Sequence, residues 1–68
     1  MIITQEQIDV LEKHIPNIHK LVEADDVQAV LDAANDVIVD NILANGDILD
    51  DEGAKVQRVW DQIFNQND

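Results

Sequence analysis

Asp32, Asp36 and Asp40 are the residues whose type and spacing suggest chemistry most directly. At successive four-residue steps they form a row along one side of a helix, with a rise of about 6 Å between neighbours. No Lys or Arg stands four residues from any of them. The row therefore carries a like-charge cost of a few tenths of a kcal/mol per pair, roughly, in an isolated helix. A rigid line of carboxylates at that pitch is comparable to neighbouring phosphates on a nucleic-acid strand. It could compete for a basic groove built for DNA. The plainer reading is a solvated helix face in an acidic protein.

Other chemistry has few candidates. The chain has no Ser, Cys or Tyr, and its single Thr, Thr4, is expected to cap a helix. Nucleophilic catalysis by a hydroxyl or thiol therefore lacks a nucleophile. His14 and His19 are separated by about 140° around a helix and do not converge without a bend. A general acid or base needs a desolvated pocket, which a chain this short encloses poorly. No catalytic residue is assigned, and a non-enzymatic protein is expected. The stretch Asn41 to Glu52 resembles the calcium loop of an EF-hand when Gly46 takes its sixth position and Glu52 its twelfth. Asn41 replaces the usual first Asp, however, and Leu43 stands where the third position supplies an oxygen. Helix caps explain Asn45-Gly46 and Asp50 to Glu52 without an ion, so no metal and no cofactor is expected.

Sixty-eight residues fit a single helical domain spanning 1–68. A chain of this size buries only roughly 60% of the surface its unfolded form exposes, and without cysteines it has no disulfides to add. The 46% hydrophobic content argues against disorder. Fifteen acidic residues against four basic ones give a formal net charge of −11. Such a surface repels nucleic acid and anionic lipid and attracts basic partners. No apolar run suffices for a membrane span and no leader-like segment starts the chain, so a cytoplasmic location is expected.

The elements that must position the acidic row follow from periodicity and caps. Thr4 and Gln7 fit a capping box, with Ile3 and Ile8 at the staple positions. Ile8, Leu11, Ile15, Ile18 and Val22 then continue one apolar seam, giving a first helix over about residues 5–23. Pro16 interrupts it, so this helix is kinked or broken there. Asp25 can cap a second helix over about 26–44, with Gln28 in the box position. Val27, Val30, Leu31, Ala34, Val37, Ile38 and Ile42 share its inward sector, opposite Asp32, Asp36 and Asp40. Asn45-Gly46 supplies a left-handed C-cap. Asp50 caps a third helix over about 51–65, with Asp51 and Glu52 in its first turn. Its inward stripe is Val56, Val59, Trp60, Ile63 and Phe64, and Gly53 suggests close packing near its start. The expected fold is all-α, a small three-helix bundle.

Val39 and Leu43 do not fit the inward sector. They are either edge contacts to a neighbouring helix or an exposed apolar strip, which usually marks an interface. Val10 and Leu21 raise the same question at the flank of the first helix.

The capped first helix, acidic middle helix and GDILDDEGAKVQRVWDQIFNQ ending resemble small acidic proteins encoded by bacteriophages and prophages of Gram-positive bacteria. The likeness is carried by Gly46, Asp50, Gly53, Gln57, Trp60, Asp61 and Ile63. It implies an accessory protein that acts by binding a host or phage factor, and it brings no catalytic residues. The reading that follows is a small acidic protein–protein interaction module. Its partner is a protein, basic or itself nucleic-acid-binding, rather than nucleic acid or membrane, and the chain is also expected to pair as a homodimer. The partner-binding residues are Asp32, Asp36, Val39, Asp40 and Leu43. The alternative is a DNA mimic that occupies the basic groove of a nucleic-acid-binding protein.

Overall fold

Four helices carry the chain, where periodicity suggested three. The computed structural model describes residues 1–68 and contains α1 (Gln5–Glu12), α2 (Ile18–Glu23), α3 (Val27–Ala44) and α4 (Asp51–Gln66). It has no strand, and the molecule measures 34 × 23 × 19 Å. No helix is long and apolar enough to cross a membrane.

The expected first helix is divided into α1 and α2. Its start is as the sequence suggests: the Gln7 N–H donates to the Thr4 hydroxyl at 3.2 Å and the Thr4 N–H donates to the Gln7 side chain at 3.0 Å. At the other end the Ile15 N–H still reaches the Leu11 carbonyl at 2.8 Å, but Pro16 has no N–H to extend the ladder. Residues 13–14 and 16–17 are turns on either side of Ile15, and α2 begins at Ile18 without a side-chain cap from Asn17. Ile15 and Ile18 are nevertheless both buried, so the apolar seam crosses the break.

Between α2 and α3 the cap lies one residue later than the sequence suggests. Asp25 adopts φ 55, and the Asp25 and Asp26 N–H groups donate back to the Val22 and Leu21 carbonyls. This is the left-handed helix ending usually made by glycine, with a short Asx side chain tolerated in its place. Asp25 is used up by that turn, so Asp26 caps α3 by accepting from the Ala29 N–H at 3.1 Å. Gln28 makes no capping box and instead donates to Asp32 at 2.9 Å.

The core joins Ile8 and Leu11 of α1, Ile15 of the connection, Ile18 of α2, Val30, Leu31, Ala34 and Ile38 of α3, and Val56, Val59 and Ile63 of α4. Val27, Val37 and Ile42 pack partly buried against it, as do Val10 and Leu21. Trp60 ties α4 to α3 by donating its indole N–H to the Leu31 carbonyl at 3.1 Å. Phe64 departs from the expected inward stripe and is 45% exposed. One turn beyond Trp60, it stacks on that ring at 5.3 Å between centroids. Residues 56, 59 and 63 already fill the sector of α4 facing the core, and Phe64 lies about 100° around the helix from Ile63.

Candidate functional site

The outer face of α3 is built on its inner one. Val30, Leu31, Ala34 and Ile38 are buried, which fixes the rotation of the helix and turns Asp32, Asp36, Val39 and Leu43 to solvent. At 100° per residue these four lie within an arc of about 60°. Val39 is 44% exposed and Leu43 71%. The two readings open for this pair are thereby separated: they form an apolar strip at the surface rather than edge contacts. No cation pairs with Asp32, Asp36 or Asp40 within 4.0 Å. Asp32 has only the Gln28 amide as a partner.

Asp40 separates from the other members of the row. It lies further around α3 and lines a shallow cavity of about 330 Å³ with His14, Val37, Asn41 and Gly53. The expected row of three is thus a pair, Asp32 and Asp36, flanking the apolar strip, with Asp40 on the side that turns toward the α1–α2 connection. A straight helix accounts for this, since each four-residue step drifts by about 40°.

The end of α3 is held against the start of α4 by a polar cluster. Asn41 donates to the Asp50 carboxylate at 2.8 Å and accepts from the Asp50 N–H at 3.0 Å. The same carboxylate caps α4 by accepting from the Gly53 N–H at 2.9 Å. Asn45 donates to the Asn41 carbonyl at 2.8 Å. The Gly53 N–H and then the Asn41 amide hold the Asp50 carboxyl below its ordinary value. Glu52 is likewise lowered, first by the His14 imidazole facing it at 3.5 Å and then by Lys55. His19 pairs separately with Glu12.

This cluster occupies the residues of the EF-hand-like stretch in another way. Asn41 lies within α3, Asp50 is a cap and Glu52 faces His14. Their oxygens do not line one loop, and no group of three acidic or imidazole side chains converges. Gly53 explains its place sterically: a Cβ there would stand 2.3 Å from the Asn41 side-chain oxygen and 2.9 Å from Leu49.

Phe64 is the surface feature that the sequence reading missed. The signal lies in the period of α4: at 100° per residue Val56, Val59 and Ile63 span an arc of about 60°, and Phe64 falls about 80° outside it. No protein-family model, curated protein or solved structure matches the chain.

Proposed function

We propose that the protein is a non-enzymatic interaction module that binds a basic surface of another protein through the outer face of α3. The observation that carries this reading is the exposure of Val39 and Leu43, 44% and 71%, beside the unpaired carboxylates of Asp32 and Asp36. Apolar side chains at the centre of a contact supply affinity once water is excluded. Charges around them steer encounter and reject acidic partners. The resemblance to phage-encoded acidic proteins favours a host or phage factor as the partner. Asp40 contributes from the flank. Pairing of two copies through the same strip belongs to the proposal as a weak contact, because two side chains bury far less than the roughly 1,200 Å² of a stable interface.

The test is capture from bacterial extract by the wild type, a Val39→Asn/Leu43→Asn variant and an Asp32→Asn/Asp36→Asn/Asp40→Asn variant. The proposal expects the apolar variant to lose a basic partner and the neutralised variant to hold it more weakly. If only the neutralised variant loses the partner, and duplex DNA displaces it from the wild type, DNA mimicry replaces this reading. Equal capture by all three forms would make the face a solvated surface and nothing more.

A further inference from the structure

The largest cavity of the molecule, about 660 Å³, is a groove between α1 and α4 on a part of the surface separate from the outer face of α3. It gathers three of the four basic residues of the chain, Lys13, Lys55 and Arg58, against one acid, Glu6. In a protein of net charge −11 this is a local reversal of sign. Fifteen acidic side chains are available to neutralise these cations, yet Lys13 and Arg58 have no ion-pair partner within 4.0 Å. Lys55 alone is engaged, by Glu52 at 3.5 Å.

The amides at the other end of the groove are arranged to match. Gln7, buried in the groove wall, donates to the side-chain oxygens of Gln62 and Gln66, each at 2.9 Å. The Gln62 oxygen accepts one of these bonds, and its amino group has no partner. Apart from Glu6, the groups of the lining left without a partner are donors: the Lys13 ammonium, the Gln62 amino group and the Arg58 guanidinium, whose fork suits carboxylate or phosphate. Only Val10 and Val59 are apolar, so an apolar ligand has little to bury.

We infer that the α1–α4 groove is a binding site for a small, multiply charged anion bearing carboxylate or phosphate groups, held by Lys13, Lys55, Arg58 and the Gln62 amide. The size argues for a small molecule, since ligand sites run from roughly 300 to 1,000 Å³. The charge argues the same way. A duplex or an acidic protein reaches beyond the groove and meets the acidic remainder of the surface. A small anion meets chiefly the groove, because at physiological salt the field of more distant charges is screened over about 8 Å. Carboxylate and phosphate share the chemistry that these donors recognise.

Isothermal titration with citrate and with tripolyphosphate, at about 0.15 M ionic strength, tests the site and tells the two chemistries apart. Saturable one-to-one binding of at least one probe is expected. Arg58→Gln weakens it at least tenfold, Arg58→Lys by less, and Lys13→Gln also weakens it. Asp36→Asn leaves it unchanged. All the substituted residues are exposed, and thermal melts confirm that each variant folds. Absence of saturable binding with both probes overturns the inference, as does equal affinity in the wild type and Arg58→Gln.

Discussion

Asp50 uses one carboxylate for three contacts: it caps α4 through the Gly53 N–H, takes the Asn41 amide and lies 3.4 Å from the Asn45 amide. Each contact favours the ionised form, and the lowered pKa follows. Glu52 is lowered by His14 and Lys55. A carboxyl whose folded-state pKa lies below its unfolded value contributes stability above the unfolded value, and loses that contribution as pH falls through the folded one. The absolute stability of this acidic chain will not show it cleanly, because protonation also relieves repulsion among the other carboxylates. A difference will. Asn is as good an N-cap as Asp, so an Asp50→Asn/Glu52→Gln variant keeps the cap and loses the charges. Its melting temperature is expected to lie below that of the wild type at neutral pH, with the gap closing as pH falls through and below the ordinary carboxylate range. A gap that stays constant across that range would show that the charges contribute nothing.

At the scale of elements, the α3–α4 contact depends on Gly53 having no side chain, with the Asn41 oxygen 2.3 Å from where a Cβ would stand. Gly53→Ala gains helix propensity, worth about 1 kcal/mol. It must also push Asn41 off its two bonds to Asp50 and crowd Leu49, and overpacking of this kind costs about 1–3 kcal/mol. A net loss of about 1 kcal/mol is expected. In an Asn41→Ala background the same change should cost little or become stabilising, which chemical denaturation of the four proteins in the double-mutant cycle will show. Additive effects would mean that Asn41 is not the obstacle.

The caps around these elements were legible in the sequence because each is a local event of three or four residues: Thr4 with Gln7, Asp50 before Gly53, Gly46 at φ 66. The inward faces of the helices were legible from their period. What was misread or left open arose where two local rules competed. Asp25 and Asp26 are equally good caps by type, and only the left-handed ending of α2 decides between them. Pro16 is compatible with a bent helix or with two helices, and the turns on either side of Ile15 depend on how Ile15 and Ile18 reach the core. Phe64 reads as core by type, whereas its neighbour Ile63 occupies the place. At the candidate site, the exposure of Val39 and Leu43 was undecided in the sequence because it depends on whether another helix covers that side of α3. The groove between α1 and α4 joins residues more than forty positions apart, from Lys13 to Lys55 and Arg58, and no periodicity within one helix reveals it.

On the scale of the whole molecule, charge separates two surfaces. The outer face of α3 carries unpaired carboxylates around an apolar strip, and the α1–α4 groove carries unpaired cations. The net charge of −11 opposes the approach of a second copy and favours a basic partner, most strongly at low salt. Self-association through Val39 and Leu43 is accordingly expected to be the weaker of the two associations. On the proposed function the α3 face, and not the remainder of the acidic surface, makes the contact. The most direct measurement is amide-resolved NMR of the labelled protein titrated with the captured partner. Broadening and shift changes are expected to concentrate at Asp32, Asp36, Val39, Asp40 and Leu43, while Gln5 to Glu12 of α1 stay unperturbed. Changes confined to α1 and the opposite flank of α4, with α3 silent, would contradict the proposed function.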